Sequence, residues 1–314
     1  MINNKKIVVV IPTFKALSTI QKVIDTVPEF VDHIVVVDDK CPQESGKHVL
    51  KLANNRVTVI FHEINIGVGG ATISGYQKAL DLGADVLVKI DSDGQMNPEI
   101  MGEILGPVLN EGYGYSKGNR FGSLRSLNTM PKIRLFGNSV LSFLVKVASG
   151  YWNIMDPTNG YTAISKESIL SINLDSISKG YFFESSMLVN LNIMNIPVKD
   201  VLIDAVYLGE KSSLNILKEF FNFSLCLFVA LIKRLFFKYY IYNFNMCSIY
   251  LLLGPVMFLY GSQLALSTWY VNYIAGVPSP VGTIMLSTIN IVLGAQFILQ
   301  AISIDIDNLP QVDK

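Results

Sequence analysis

Two carboxylates stand one residue apart, directly after an apolar run, in the stretch VKIDSDGQMNPE at positions 88–99. Charge at the end of a buried strand costs free energy unless a cation or hydrogen bonds neutralise it. The oxygens of Asp91 and Asp93 are hard ligands that suit Mg²⁺ or Mn²⁺, and such an ion also bridges to phosphate oxygens. Gln95 points in the same direction in an extended segment and could supply a third oxygen. The pattern predicts an Mg²⁺ or Mn²⁺ site at Asp91, Asp93 and Gln95, with an exposed turn as the alternative.

The segments that would position these carboxylates alternate between strand-like and helix-like patterns over residues 1–212. Runs such as KIVVVIP and HIVVVDD are β-branched, and stretches with apolar residues at three- and four-residue spacing lie between them. This alternation predicts an α/β domain with a mostly parallel sheet covered on both faces. Ligands of such sheets bind beyond the carboxyl ends of the strands. Those ends carry polar residues that should converge on one crevice: Pro12, Thr13, Asp38, Asp39, Asp91 and Asp93.

The composition narrows the possible functions. The 314 residues include 25 Lys and Arg and 25 Asp and Glu, so the bulk charge gives no indication of nucleic-acid binding. Cys41, Cys226 and Cys247 have neither metal-ligand spacing nor an obvious pairing, as expected in a reducing compartment. The first apolar run stops at Pro12, which is too short for a signal peptide. We therefore expect the α/β domain to stay in the cytosol.

The last part of the chain, residues 246–314, contains two long uncharged runs. Residues 246–270 hold no charge over 25 positions, and residues 281–304 hold none over 24. As helices these runs would extend roughly 36 Å, enough to cross a hydrocarbon core of about 30 Å. They predict a transmembrane hairpin, and a pair of buried helices in a large soluble core is the alternative.

Residues 213–245 differ from both neighbours, because a short apolar run there is bracketed by basic residues and bulky aromatics. This pattern favours amphipathic helices in the headgroup region, with a third, tilted span as the alternative. Lys233, Arg234 and Lys238 precede the first long run, whereas the loop after it has no Lys or Arg. The positive-inside rule therefore predicts a multi-pass protein of the plasma membrane with its first domain in the cytoplasm.

A glycine cluster, NIGVGGATISGYQKAL, follows a predicted strand and opens a predicted helix. A dinucleotide-binding loop would need a third glycine, but Gly67 and Gly69 are followed by Thr72. Asp91 lies some twenty positions further on, and its neighbours suit a metal better than a ribose. The cluster alone therefore gives little support to a nicotinamide site.

The order of several motifs resembles that of family 2 glycosyltransferases: VVVIPTF, VVVDDK, NIGVGGATISGYQKA, IDSDGQMNPE, GNRF and DPTNGYTAIS. With its C-terminal apolar pair, the chain is similar to the polyprenyl-phosphate glycosyltransferases, the group that includes dolichol-phosphate mannose synthase. The resemblance implies a GT-A catalytic domain with a Rossmann-like, mostly parallel sheet. The interfacial helices and two transmembrane helices would follow that domain.

The resemblance also implies roles for individual residues. Pro12, Thr13, Asp38 and Asp39 would line the nucleoside pocket. Asp91, Asp93 and Gln95 match the metal and diphosphate motif. Arg120, Arg134 and Asn138 resemble the set that holds the lipid phosphate. Asp156 matches the acidic residue near the transferred sugar, Glu184 lies in an acceptor-side segment, and Lys211 matches a basic residue of the loop that closes over the diphosphate.

Some positions depart from the family pattern. Pro12 is followed by Thr13, Phe14 and Lys15 where the family usually has Tyr-Asn-Glu, so the nucleobase edge of the pocket should differ. Tyr207 stands where the family often places an arginine, which leaves Lys211 to act alone. These departures affect the identity of the sugar nucleotide more than the class of reaction.

The implied reaction moves a hexose from a UDP- or GDP-sugar to a polyprenyl phosphate of the undecaprenyl type, with inversion at the anomeric carbon. Asp93, Asp156, Arg134 and Lys211 are the candidate catalytic residues. Membrane lipids and a second copy of the chain are expected partners, and nucleic acid is not.

Two other functions remain open: transfer to a hydroxyl, with Asp156 or Glu184 as the base, and an inactive membrane scaffold. Three of the candidate site residues could instead have purely structural or surface roles. Arg134 could lie on a solvated helix face, Asp156 could be a cap or turn residue, and Glu184 could be a paired structural charge.

Overall fold

The computed structural model describes residues 2–121, 132–204 and 216–312, and at residues 132–136, 138 and 216–221 it describes the backbone only. The chain divides into two compact units, Met1–Arg234 with Pro310–Lys314, and Leu235–Leu309. The boundary falls inside the segment 213–245 that composition sets apart. The division of the chain into three functional parts stays a prediction.

Seven strands of the described residues form one sheet in the first unit, in the order β3-β2-β1-β4-β6-β5-β7. All neighbouring strands are parallel except β6, which runs antiparallel to both β4 and β5. The predicted α/β fold with a mostly parallel sheet is confirmed. The strands are β1 (Ile7–Thr13), β2 (His33–Asp38), β3 (Val57–Phe61), β4 (Val86–Lys89), β5 (Tyr115–Asn119), β6 (Thr162–Ser165) and β7 (Val198–Leu202).

Helices connect the strands and continue into the second unit. Short 3₁₀ segments cover Pro98–Ile100 and Leu174–Ser176, and a π-helix covers Phe237–Tyr242. The α-helices are α1 (Ile20–Asp25), α2 (Ser45–Lys51), α3 (Val68–Asp81), α4 (Met101–Asn110), α5 (Lys132–Ser149), α6 (Lys166–Ser171), α7 (Phe183–Ile193), α8 (Ile216–Phe236), α9 (Met246–Ala275) and α10 (Val281–Asp307).

β1 shows why the strands are apolar at nearly every position: all seven of its residues are buried. Ile7, Val9 and Ile11 belong to a core that also contains buried side chains of α1 and α4. On the opposite face, α3 packs close to the sheet because Gly75 lacks a side chain, and a Cβ there would overlap Val10. Each fully buried Val or Ile contributes roughly 1.5–3 kcal/mol. Burial on both faces therefore stabilises β1 as an inner strand between β2 and β4.

The strand order creates a topological switch point beside β1. The chain moves from β1 to β2 and β3 on one side, then returns through α3 to place β4 on the other side. A crevice forms at the carboxyl ends of strands where such a reversal occurs. Thr13, Asp39 and Asp91 stand at or just after the ends of β1, β2 and β4.

The second unit contains the two long apolar helices. α9 and α10 are long and apolar enough to cross a membrane, and in each helix only 11% of the most apolar 18-residue stretch is buried. No other helix in the described part of the chain meets this criterion. Gly261 and Gly294 let the two helices approach closely, because a Cβ on Gly294 would overlap the backbone of Phe258. The two predicted spans are therefore confirmed as apolar helices, extended to residues 275 and 307.

α8 has a buried arginine in its last turn. Arg234 is 1% exposed, and it donates Nε to the carbonyl of Ala148 at 2.9 Å and Nη2 to that of Val147 at 3.1 Å. Both carbonyls lie in the last turn of α5, where a cation is favoured by the helix dipole. Arg234 thus fixes α8 to α5, a contact that its basic character alone does not predict.

Candidate active site

A cleft of about 410 Å³ lies at the carboxyl ends of β1, β2 and β4. The structure brings five of the sequence-predicted residues together in its wall: Pro12, Thr13, Asp39, Asp91 and Asp93. The other lining residues are Phe14, Asn65, Gly67, Val68, Ala71, Ser92, Gly180 and Tyr181. The cleft therefore combines three carboxylates with aromatic and backbone surfaces that suit a polar ligand with a planar ring.

Asp39, directly after β2, is held by hydrogen bonds from the segment just before α3. Its Oδ1 accepts hydrogen bonds from the backbone N–H of Ile66 at 3.0 Å and from Nδ1 of His62 at 2.8 Å. Its Oδ2 accepts from the N–H of Gly67 at 2.8 Å, and Nε2 of His62 lies 3.0 Å from the Ser74 hydroxyl. The carboxylate is thus fixed in the cleft wall by groups from the segment before α3 and from α3 itself.

Asp38 accepts hydrogen bonds from the loop after β2, and its role at the nucleoside stays a prediction. Its Oδ1 accepts from the N–H of Cys41 at 2.6 Å and its Oδ2 from that of Gly46 at 2.7 Å. The side chain is buried, and both of its oxygens accept backbone N–H groups. Asp38 therefore stabilises the loop after β2. Of the two neighbouring aspartates, only Asp39 lines the cleft.

Asp91 and Asp93 follow β4 and flank Ser92 in the cleft wall. Gly94, with φ +79°, turns the chain, and Oδ1 of Asp93 accepts the backbone N–H of Gln95 at 2.9 Å. Gln95 therefore supports Asp93 through its backbone, and its side chain is not among the described groups of the cleft wall. Its predicted role as a third metal ligand stays a prediction.

The two aspartates fit a divalent ion that is shared with a diphosphate. Within the described residues, no group of three or more His, Cys, Asp or Glu side chains could hold a metal by itself. Mg²⁺ is commonly bound by one or two carboxylates together with substrate phosphates and water. Asp91 and Asp93 match that donor set, because both line the same cleft.

Lys89 is a residue that motif reasoning missed. It is fully buried at the end of β4, and its Nζ lies 2.7 Å from Asp91 Oδ1 and 3.2 Å from Glu184 Oε1. Burial alone would lower the pKa of Lys89, but the two carboxylates outweigh it and raise that pKa above its ordinary value. The sequence does offer one indication of such a role, because Lys89 is a charged residue within the apolar run VLVKI.

Glu184 stands in the first turn of α7, and its side chain is 14% exposed. Its pairing with Lys89 matches the alternative in which Glu184 is a paired charge. This ion pair also links α7 to the end of β4, which carries Asp91.

Arg120 and Asp156 form a bidentate ion pair. Arg120 donates Nε to Asp156 Oδ2 at 2.7 Å and Nη2 to Oδ1 at 3.1 Å, and the carboxylate is fully buried. Asp156 also closes a turn, because its carbonyl accepts the N–H of Asn159 at 3.3 Å. The resemblance assigns Arg120 to the lipid phosphate and Asp156 to the transferred sugar. In the structure the two side chains bind each other.

Two further charged residues, one buried and one partly buried, support the turn that carries Asp156. Lys117 donates to the carbonyl of Pro157 at 2.7 Å, and burial lowers the pKa of Lys117 to about 8. Asp200 accepts the N–H of Met155 at 2.6 Å, and burial raises the pKa of Asp200 to about 6. Sequence patterns gave no indication of either residue.

Three predicted site residues cannot be placed. Lys211 and the side chains of Arg134 and Asn138 lie outside the described residues. The backbone at the latter two positions belongs to α5. Their roles stay predictions.

Comparison with known proteins assigns the family. The model of Glycosyl transferase family 2 matches residues 8–172. UDP-N-acetylglucosamine--dolichyl-phosphate N-acetylglucosaminyltransferase of Methanococcus voltae is 31% identical over 63% of this chain and 86% of that protein. Undecaprenyl-phosphate mannosyltransferase of Micrococcus luteus is 31% identical over 58% of this chain and 76% of that protein. Polyprenol monophosphomannose synthase of Mycolicibacterium smegmatis is 30% identical over 57% of this chain and 69% of that protein.

The fold has counterparts among solved structures. Glucosyl-3-phosphoglycerate synthase from Mycobacterium tuberculosis, in complex with Mn²⁺, UDP and phosphoglyceric acid, matches with a TM-score of 0.54. The match has 20% identity and covers 74% of this chain and 78% of that chain, so it bears on the fold alone. Because the family model spans more than half of the sequence, this chain belongs to glycosyl transferase family 2, and it is a glycosyltransferase with the GT-A fold.

Proposed function

We propose that this glycosyltransferase moves a hexose from a UDP- or GDP-sugar to a polyprenyl phosphate of the undecaprenyl type, at the cytoplasmic face of the plasma membrane. The observation that carries the proposal is the placement of Asp91 and Asp93 in one cleft, in a chain that ends in two apolar helices. Three relatives act on lipid phosphates or are named for a polyprenol product, which supports the acceptor class.

The acceptor phosphate carries an ionised oxygen at neutral pH, so its attack on the anomeric carbon needs no strong general base. A bond forms between that oxygen and the anomeric carbon, and the bond to the nucleoside diphosphate breaks in line, which inverts the centre. The chain must then position both substrates and neutralise charge. A site that contains several ion pairs meets this need for positioning and charge neutralisation better than a site built around a single general base.

On the donor side, Asp39 and the backbone at Pro12 and Thr13 would line the nucleoside. Asp91 and Asp93 would hold Mg²⁺ or Mn²⁺, with Gln95 as the proposed further ligand. The bound ion would stabilise the departing diphosphate. Lys211 would add positive charge from the closing loop.

On the acceptor side, Arg120, Arg134 and Asn138 would bind the lipid phosphate. A guanidinium has five N–H donors, and the Asp156 pair uses two side-chain nitrogens of Arg120 while fixing the plane of the group. A fixed plane favours bidentate binding of phosphate. Asp156 would thus orient Arg120 beside the transferred sugar.

Transfer to a hydroxyl is the weaker alternative. That reaction needs a general base, but Asp156 is bound to Arg120 and Glu184 is bound to Lys89. Each carboxylate is therefore already engaged by a cation of the chain, which leaves it poorly placed to contact a substrate hydroxyl.

The test uses the full chain purified in detergent with Mn²⁺ or Mg²⁺. Radiolabelled UDP- and GDP-hexoses, including UDP-N-acetylglucosamine, are offered with undecaprenyl phosphate, and Asp93→Ala is the control. Metal-dependent label in the lipid phase that the variant does not produce would support the proposal and identify the donor. Metal-dependent nucleotide binding without transfer to any lipid phosphate would overturn the acceptor, and absence of binding would favour a scaffold.

A further inference from the structure

Lys89 joins three segments beneath the cleft. Its ammonium group lies 2.7 Å from Asp91 at the end of β4, 3.2 Å from Glu184 at the start of α7, and 3.4 Å from the carbonyl of Gly160. A lysine ammonium has three N–H donors, and here three acceptors surround it. The lysine side chain is fully buried, so its ammonium group is shielded from bulk solvent.

Gly160 closes the space around the ion pair. A Cβ at this position would lie 2.5 Å from Lys89 Nζ and 2.8 Å from Asp91 Oδ2. Backbone of the DPTNGY turn therefore packs directly on the lysine and on the aspartate. The ammonium group cannot shift without moving the turn or one of the two carboxylates.

The ion pair also orders the atoms of Asp91. Lys89 donates to Oδ1 of Asp91 rather than to Oδ2, and Asp91 still contributes to the cleft wall. Hydrogen bonds from outer groups commonly fix the orientation of carboxylates that bind metals. Lys89 is placed to do this for Asp91, and it contacts Glu184 through the same ammonium group.

We propose that Lys89 is a positioning residue that sets Asp91 for the metal–diphosphate complex and couples it to the acceptor-side carboxylate Glu184. The inference rests on the proposed function, since it takes Asp91 as a ligand of the ion. It goes beyond that function by assigning a role to a buried residue that does not line the cleft. Loss of Lys89 should therefore weaken metal binding without removing any metal ligand.

The first test measures the affinity of the full chain for Mn²⁺ in the presence of UDP or GDP, whichever the unaltered chain binds, by electron paramagnetic resonance of the free ion. Lys89→Met should bind Mn²⁺ about 10- to 100-fold more weakly, the usual effect of removing an outer partner of a metal ligand. Lys6→Met is the control, because Lys6 is partly buried and also donates to a backbone carbonyl, that of Leu82 at 2.5 Å, but lies before β1, at the opposite end of this strand from the cleft. Its Mn²⁺ affinity should stay within about twofold of that of the unaltered chain.

A second variant keeps the test valid if Lys89→Met does not fold. Gly160→Ala retains every charge but pushes a methyl group into the Lys89–Asp91 contact, so it should also weaken Mn²⁺ binding. Gly102→Ala is its control, because a Cβ on Gly102 meets no atom within 4 Å. Unchanged Mn²⁺ affinity in Gly160→Ala would overturn the inference.

The coupling to Glu184 is tested by a double-mutant cycle. Glu184→Gln should change Mn²⁺ affinity in the unaltered background and have a clearly smaller effect when Lys89 is already Met, because coupled residues are non-additive. Equal effects in both backgrounds, or full Mn²⁺ affinity in Lys89→Met, would overturn the inference alone. No metal-dependent binding of either UDP or GDP by the unaltered chain would overturn the proposed function and this inference together.

Discussion

Arg120 and Asp156 make an ion pair of unequal exposure at the candidate site. The Asp156 side chain has no exposed surface, whereas that of Arg120 is 32% exposed. A buried carboxylate is stable only while its counter-charge is present, so removal of one partner costs more than the intact pair contributes. The pair therefore supports the DPTNGY turn as well as the orientation of the guanidinium.

We expect Arg120→Met to lower the free energy of unfolding of the full chain by about 3 kcal/mol, because Asp156 stays buried without its partner. Urea unfolding in detergent, followed by tryptophan fluorescence, measures the change. Lys199→Met is the matched control, since Lys199 and Glu111 are about half exposed and 3.9 Å apart. Its effect should be below about 1 kcal/mol. Equal losses in the two variants would contradict the role assigned to burial.

Asp200 should make the free energy of unfolding depend on pH. Its Oδ2 accepts the N–H of Met155, while Oδ1 is buried with no hydrogen-bond partner among the described groups. Burial raises the pKa of Asp200 from 3.8 to about 6. The folded chain thus holds this proton more tightly than the unfolded chain, and the resulting stability is lost as the pH rises from about 4 to about 6.

Asp200→Asn should remove this loss, because the amide oxygen can still accept the Met155 N–H and carries no charge. We expect the free energy of unfolding of the variant, relative to the unaltered chain, to rise by about 2 kcal/mol between pH 4 and 6.5. Urea unfolding at several pH values gives the comparison. Asp175→Asn, at an exposed carboxylate, should show no such trend. A difference that does not vary with pH would contradict the assignment.

At the scale of elements, the beginning of α3 organises the donor side of the cleft. Gly67 precedes the helix with φ +89°, and its N–H binds Asp39. Three residues later, the N–H of Gly70 donates to the carbonyl of Lys179 at 3.0 Å. One helix end thus joins the residue expected at the nucleoside to the segment before α7.

Gly67→Ala should disturb both contacts, because alanine disfavours this φ and its Cβ would lie 2.6 Å from the Lys179 carbonyl oxygen. We expect a loss of about 2 kcal/mol in the free energy of unfolding. We also expect Mn²⁺-dependent UDP binding to weaken by at least about 10-fold. Gly102→Ala, inside α4, should leave UDP binding unchanged and be neutral or stabilising by about 0.5–1 kcal/mol. Unaltered UDP binding in Gly67→Ala would contradict this role of the helix start.

The elements also show what sequence patterns can predict. β1 and β2 were predictable because both of their faces are buried, which requires continuous β-branched runs. The antiparallel insertion of β6 was not, since a four-residue strand carries no signal for its partners. Asp91 and Asp39 could be grouped because both follow parallel strands. The Lys89–Glu184 pair could not, because 95 positions separate the two residues and only the folded chain brings them together.

For the whole molecule, the predicted orientation rests on basic residues before α9, two of which are buried in the folded chain. Arg234 and Lys238 are buried in the structure, and Lys238 donates to the carbonyl of Asn308 at 3.2 Å. Membrane orientation is set by Lys and Arg near the spans as the chain inserts. Residues that are buried later therefore still count toward topology, and the predicted cytoplasmic face of the catalytic domain keeps its physical basis.

We expect the loop between α9 and α10, which has no Lys or Arg, to face the outside. In a Cys226→Ser background, Pro278→Cys should react with a membrane-impermeant maleimide on intact cells. Lys51→Cys, on the catalytic domain, should react only after lysis, and the buried Cys41 and Cys247 give the background signal. Labelling of Lys51→Cys alone on intact cells would reverse the orientation and contradict a cytoplasmic active site. Labelling of both positions only after lysis would contradict a transmembrane hairpin, because an inserted pair of spans must expose its loop across the membrane.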